Sequence, residues 1–358
     1  MPIRIERIAE ADLAGYQAFI ASQSRASAYH HPAWLQAVEQ AYGHAGWLIT
    51  ATDGRGALTG VLPVCQLRRP GGGELVSLPF CDLGGTLTAL GVNQARGELL
   101  AGALELMDRT GLQHMALRER EFSREAGEND SLVDGAGTSV GKVSLLARLP
   151  DSADELLHSF KAKLRSQIRK AEKNGLTATV ETGSTALKAF YPVFAANMHR
   201  LGSPVHSRAW FEALKNHYGE QMVVGLVRLG HQPVAAGIVL IQGRNACIPW
   251  ASTLAEFNHL APNMLLYWQL LRYVTELGCQ EFDFGRSTPG EGTYRFKRQW
   301  GAQPVALHWR DYLIDGTFAD RQTAGPGRSR QWAEACWQRL PLFVANRIGP
   351  RVRKHISL

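Results

Sequence analysis

The sequence predicts an α/β protein built from two copies of one folding unit, and three observations carry that expectation. Residues 33–43, AWLQAVEQAYG, are echoed by residues 209–219, AWFEALKNHYG. The Ala-Trp, the Ala three residues after the Trp and the closing Tyr-Gly recur. Each echo is followed by the same succession: a strand pair, a further strand, a helix ending in glycine and a last strand. The chain has 358 residues, 45% hydrophobic and 20% charged, which is the composition of a globular protein and the length of two ordinary domains.

In the first copy the helix 33–43 stops at Gly43. A strand from Trp47 to Thr52, a DGRG turn and the strand LTGVLPVCQL then form an apolar hairpin. LVSLPF reads as a third strand, RGELLAGALELMDRTG as a helix and LQHMALRER as the strand after Gly111. In the second copy MVVGLVRL, a GHQP turn and VAAGIVLIQG make the hairpin. CIPWAS, NMLLYWQLLRYVTELG and CQEFDFGRS supply the strand, helix and strand that follow. LARLPDSADEL marks the joint, which sets a first unit at residues 1–150 and a second at 151–320. ADRQTAGPGRSR reads as a linker. Residues 321–358 are thus linker, a short amphipathic helix (RQWAEACWQRL) and a basic tail. In units of this kind a ligand is expected beside the strand-to-helix loops.

Composition excludes several classes. No apolar run approaches the roughly 20 residues of a membrane helix. MPIRIERIAEADL lacks the continuous apolar stretch of a secretory signal, so a cytoplasmic location is expected. Five widely spaced cysteines without a CxxC exclude a disulfide scaffold. His30, His31, His199, His206 and His217 form no HExxH pattern; they read as structural or surface residues, and no metal is expected. Neither a GxSxG elbow nor a Cys-His pairing offers a covalent nucleophile. Trp210, Trp250, Tyr267 and Trp268 read as core or pocket wall.

The net charge of +7 is concentrated in two places. Residues 161–173, KAKLRSQIRKAEK, carry six cations against Glu172, a net of +5, and residues 340–358 carry four cations and no acid. The remainder is slightly acidic. Within residues 158–174, Phe160, Leu164, Ile168 and Ala171 recur at helical spacing as a buried face. Lys161, Arg165, Arg169 and Lys173 recur every four residues as one cationic stripe. Like charges at that spacing repel, so the stripe suits an anionic partner, nucleotide phosphates or an RNA backbone.

Residues 282–301, FDFGRSTPGEGTYRFKRQWG, are the densest unusual stretch. TYRFKRQW alternates as a strand, with Tyr294, Phe296, Arg298 and Trp300 on one face. Arg286 and Lys297 flank a glycine loop suited to an anion or a developing oxyanion. Asp283 reads as an ion-pair partner of a nearby arginine rather than a base. Ser252 and Asn263 flank the strand-to-helix loop of the second copy.

The runs LRSQIRKAEKNGL, FDFGRS…GTYRFKRQWGAQP and the NMLLYW helix together resemble the Fem family. These are aminoacyl-transferring relatives of peptidoglycan bridge-forming enzymes. The resemblance extends from HPAW at 31–34 to GAQP at 301–304. It is most similar to FemAB-related proteins associated with PEP-CTERM/exosortase exopolysaccharide clusters of Gram-negative bacteria. It implies tandem GNAT-like domains (the acyl-CoA N-acyltransferase fold), arranged as in Fem proteins. It also implies an acyltransferase forming an amide on an amine of a cell-envelope or exopolysaccharide precursor.

The family's Phe-Lys pair at the reaction centre matches Phe296-Lys297, with Lys297 stabilising the tetrahedral oxyanion. Arg165 and Arg169 match the basic residues that hold acceptor phosphates, and Arg286 and Tyr294 are further binding candidates. The acid of the family site is matched with Asp82 in LPFCDLGG, a hydrogen-bonded structural Asp being the alternative. No resident cofactor is implied. The acyl donor, aminoacyl-tRNA or acyl-CoA, is a co-substrate. The pyrophosphate loop of CoA-binding GNAT proteins (Q/RxxGxG/A) has no counterpart in FNHLAPN, which argues against CoA. Two alternatives stay open: a CoA-dependent N-acyltransferase acting on an amino sugar, and a non-catalytic polysaccharide-assembly factor. The expected partner is a nucleotide- or phosphate-linked precursor, with tRNA and a peripheral membrane contact through the basic tail as further expectations.

Overall fold

A computed structural model describes residues 1–120, 141–320 and 328–358. The first copy begins with β1 (Ile3–Arg7), α1 (Leu13–Ser22) and α2 (Ala33–Tyr42). It continues through β2 (Ala45–Thr52), β3 (Leu58–Arg69), β4 (Gly72–Val76), a two-residue β5 (Leu87–Thr88), α3 (Asn93–Thr110), β6 (His114–Arg120) and β7 (Val143–Arg148). Two short helices follow, α4 (Ala153–Ser159) and α5 (Ala162–Lys173). The second copy repeats the pattern with β8 (Leu176–Glu181), α6 (Gly183–Arg200), α7 (Arg208–Tyr218), β9 (Met222–Leu229), β10 (Gln232–Gln242), β11 (Asn245–Thr253), α8 (Pro262–Glu276) and β12 (Glu281–Ser287). It ends with α9 (Gly292–Arg298), β13 (Gln303–Leu313) and β14 (Phe318–Asp320), before α10 (Arg328–Arg339) and α11 (Leu342–Arg353).

The strands form one sheet in the order β1-β2-β3-β4-β6-β13-β7-β12-β11-β10-β9-β8. Exchanging each strand for its counterpart makes this order read the same from either end. The last strand of each copy is traded: β7 pairs with β12 of the second copy, and β13 with β6 of the first. β7 and β13 also pair with each other at the centre. Residues 143–148, placed by sequence in the first unit, therefore hydrogen-bond along a strand of the second.

The echoed helices are the centre of the molecule. α2 and α7 pack together, with Trp34 edge-on to Trp210 at 5.2 Å and Tyr42 stacked on Trp210 at 5.5 Å. Both tryptophans are wholly buried. One core joins α1, α2, α6 and α7 to strands of both copies; separate cores lie under α3 and under α8. The Ala-Trp motif recurs because each copy uses it to seal against the other.

Four expectations are corrected. TYRFKRQW is the helix α9 and not a strand. Phe296 and Trp300 share a face under a period of two and also at helical i,i+4 spacing, so a short segment could not separate the readings. Residues 158–174 are not one helix: the end of α4 and the whole of α5 fall within them, separated where Phe160 and Lys161 leave helical geometry, although Phe160, Leu164, Ile168 and Ala171 do share one core. The basic tail is the helix α11, and its end packs on the first copy. There Phe80 N–H donates to Ser357 O at 2.6 Å and the Arg353 guanidinium covers the Phe80 ring. The third strand of the first copy ends at Val76, leaving residues 77–82 as loop. The linker falls largely on residues 321–327, outside the described residues.

Trp210→Ala is expected to cost about 3–5 kcal/mol, read as a lowered midpoint in denaturant unfolding.

Candidate active site

β12 brings the candidate residues together through a bulge. Phe282 and Phe284 are buried, and the pairing with β7 slips between Asp283 and Arg286. Gly285 sits at φ +73°, a conformation other residues adopt at a cost. The buried Asp283 carboxylate fixes the bulge: Oδ1 accepts from Ser144 Oγ at 2.6 Å and from Gly285 N–H at 2.7 Å. Burial raises the Asp283 pKa, against the Ser144 hydrogen bond and Arg120. Among the described residues it makes no ion pair within 4.0 Å, which corrects the expected arginine partner.

The bulge turns two carbonyls towards α9. Lys297 Nζ donates to Gly285 O at 3.0 Å and to Arg286 O at 2.8 Å. An ammonium has three donors, so a third remains for a ligand. Burial pushes the Lys297 pKa down to about 8; Asp82 and Asp283 oppose the shift and Arg286 adds to it. Phe296 beside it packs edge-on to Tyr267 at 5.0 Å, anchoring α9 to α8.

Asp82 comes from the first copy and meets this cluster across the seam. Arg286 N–H donates to its Oδ2 at 3.2 Å, and Arg286 Nε lies 3.4 Å from Oδ1. The Arg286 guanidinium lies over Trp309, 5.0 Å from the ring centroid, and Trp309 Nε1 donates to Asp82 O at 3.1 Å. The loop carrying Asp82 is held at many points: Arg118 donates to Leu78 O, Cys81 O and Ser357 O, and Trp34 Nε1 to Pro79 O. A side chain at Gly85 would meet Glu119 Cγ at 2.2 Å, so the Gly-Gly of LPFCDLGG permits a close approach to β6.

The structure thus gathers Lys297, Phe296, Arg286 and Asp82. The other candidates lie in separate places. Ser252 Oγ accepts from Asn197 and so ties β11 to α6, and Asn263 accepts from Thr253 across the loop between β11 and α8. β11 and β12 pair in parallel over residues 245–247 and 281–283. Tyr294 is partly buried against the second-copy core. Arg165 turns back to cap α4, donating to His158 O at 3.0 Å and Phe160 O at 2.7 Å, while Arg169 stands exposed. The joint between α4 and α5 packs on the turn after α9 through Phe160 and Trp300, 5.4 Å apart. Sequence reasoning missed Ser144 and Trp309, which arrive on the traded strands and carry no local signal. Four of the expected histidine, aromatic and metal readings also receive positions: His30 and His206 are buried, burial lowering His30 to about 4, and Trp210 and Trp250 belong to the shared core. Among the described residues no group of three or more His, Cys, Asp or Glu is placed to hold a metal ion.

Lys297 is expected to titrate near pH 8 in pH-dependent amine labelling read by mass spectrometry. Asp82→Asn removes a charge that supports the ammonium, so the midpoint should fall; an unmoved midpoint would separate Asp82 from Lys297.

The family described as Acetyltransferase (GNAT) domain matches residues 158–298. No curated protein matches the sequence. Among solved structures the chain is similar to FemX, at 16% identity and a TM-score of 0.66, covering 87% of this chain and 97% of that one. It is similar to the C-terminal domain of a putative lysylphosphatidylglycerol synthetase from Agrobacterium fabrum, at 11% identity and a TM-score of 0.52, covering 86% and 92%. It is also similar to a tandem GNAT protein from the clavulanic acid biosynthesis pathway, at 12% identity and a TM-score of 0.51, covering 87% and 99%. The chain therefore has a Fem-like tandem GNAT fold of the acyltransferase type, with an acetyltransferase (GNAT) domain match over residues 158–298.

Proposed function

We propose that this protein forms an amide by transferring an acyl group, an aminoacyl group in the first reading, to an amine of a phosphate- or nucleotide-linked envelope or exopolysaccharide precursor in the cytoplasm. The observation that carries it is Lys297: a half-buried ammonium with two donors fixed on backbone carbonyls and one left to give. The acceptor nitrogen would attack the acyl carbonyl, forming the N–C bond as the carbonyl oxygen gains negative charge. Lys297 stabilises that oxyanion without reorganising, because Gly285 O and Arg286 O already hold it. Collapse breaks the bond to the donor's oxygen or sulfur, and the proton lost by the amine leaves with that group. Positioning and charge suffice; no covalent enzyme intermediate is needed. Arg286, with Arg169 on the exposed side of α5, would supply positive charge for substrate phosphates.

The start of α8 supports an aminoacyl donor over CoA. Pro262 removes one amide at the helix N-terminus, Ala261 takes a left-handed conformation at φ +61°, and Met264 N–H already bonds Ala261 O at 3.1 Å. Few free amides remain there to cradle a pyrophosphate. The second reading, a CoA-dependent N-acyltransferase acting on an amino sugar, is favoured by the description of the matching family as an acetyltransferase.

A thermal-shift panel of acetyl-CoA, aminoacyl-tRNA and a UDP-linked amino sugar separates the two: stabilisation by acetyl-CoA alone supports the second. With the donor so identified, Lys297→Ala is expected to lower kcat about 10²–10³-fold at an unchanged melting temperature. Wild-type kcat is expected to fall as pH rises through about 8, where the ammonium loses its proton. An unimpaired Lys297→Ala enzyme removes the assignment.

A further inference from the structure

The C-terminal helices carry a surface that the proposed reaction leaves unused. α10 and α11 pack on the end of α6: His199 bonds Leu340 O, Gln338 donates to Arg200 O, and Gly349 lies against Val205 and Trp337. That packing buries Ala345 and Gly349 of α11 and turns its other side to solvent. Phe343 on that side is 75% exposed and Trp332 on α10 is 73% exposed, while Leu342, Ile348 and Val352 flank the packed face and, with Ile356 just beyond the helix, are 36–41% exposed. Ile348 and Val352 stand one turn apart on α11. Arg347 and Arg351 run beside them, also at an interval of four, and both are exposed with Arg339. From Trp332 to Val352 the only acid is Glu334.

We propose that this face docks on an anionic lipid surface. Large aliphatic and aromatic side chains interleaved with arginines, on the outer side of a helix anchored by its small residues, have the chemistry of an interfacial helix: apolar groups enter the headgroup boundary and guanidinium groups meet the lipid phosphates. The charge decides between occupants. An isologous contact with a second copy would bring Arg347 and Arg351 close to their own counterparts. An RNA backbone would match the arginines and leave Leu342, Ile348, Val352 and Ile356 without a partner. A bilayer satisfies both sets. The helix lies on the surface and does not cross it, since no helix among the described residues is long and apolar enough to span.

The test is sedimentation of the full chain with large unilamellar vesicles of phosphatidylcholine containing 30% phosphatidylglycerol, against pure phosphatidylcholine. Binding is expected to the anionic vesicles and to weaken with salt. Each arginine near an anionic leaflet is worth about a fivefold change in partition, so Arg347→Gln with Arg351→Gln should weaken binding about thirtyfold. Phe343→Ser with Ile348→Ser should weaken it at least as much, at an unchanged melting temperature, and Arg347→Lys with Arg351→Lys should keep it. Equal binding to both vesicles, no binding by the wild type, or full binding by the Gln variant overturns the proposal. So does concentration-dependent dimerisation abolished by Phe343→Ser, which assigns the face to a second copy, or tRNA binding lost in the Gln variant without vesicle binding.

Discussion

Each half of this sheet is completed by a strand from the other half, and most of the architecture follows from that exchange. Without β13, the first copy would end on the exposed edge of β6; without β7, the second would end on β12. Unpaired edges carry rows of unsatisfied backbone groups, so neither copy is closed alone. The exchange also sets what can meet at the seam. β13 brings Trp309 to the loop of the first copy, and β7 brings Ser144 to the bulge of the second. The packing of α2 on α7 beneath them keeps the two halves in a single orientation, since their tryptophans are buried in a core that both copies share. A site whose acid comes from one copy and whose ammonium comes from the other depends on this rigidity.

Lys297 shows how the fold tolerates a half-buried cation. Moving an ammonium out of water is costly unless its donors find partners and opposing charge is near. Two carbonyls meet the first need and Asp82 and Asp283 the second, yet burial still outweighs them and depresses the pKa to about 8. The carbonyls are available only because β12 is bulged at a glycine. The bulge persists because Asp283 accepts from the Gly285 amide that the ladder gives up. Asp283 thus acts on the site through backbone shape, which explains a buried carboxylate with a hydroxyl and an amide for partners and no arginine.

The duplication was legible because each copy repeats long, periodic elements, and the hairpins, the α3 and α8 helices and the strands after them appear where the hydrophobic pattern puts them. α9 was not legible: seven residues are too few to distinguish a period of two from one near four when Phe296 and Trp300 satisfy both. Of the site, Phe296-Lys297 and Asp82 came from the family resemblance, and Arg286 from its place beside a glycine loop. Trp309 and Ser144 could not be found this way. Their roles are set by strand exchange, and a residue's partner on a traded strand leaves no mark at short range in the sequence. Arg165 was matched with a phosphate ligand through the cationic stripe and the family resemblance, and neither reveals that its guanidinium also caps the preceding helix.

The tail makes the same distinction within a few residues. Composition gives residues 340–358 four cations of equal standing, but the structure divides them. Arg347 and Arg351 face solvent, whereas Arg353 lies over Phe80, where burial lowers its pKa to about 10. Phe80 is held at φ +69°, a conformation that costs a bulky residue about 1–3 kcal/mol. Such strain persists only where neighbours over-determine it, and here they do: Ser357 O takes the Phe80 amide, Arg118 bonds Ser357 O together with the carbonyls on either side, and Trp34 holds Pro79. The next residue but one is Asp82. The end of the chain is therefore part of the wall that sets the acid's position opposite Arg286, and the helix leading into it carries the outward arginines. One short segment thus presents charge to the exterior through one turn and fixes an interior loop through the next.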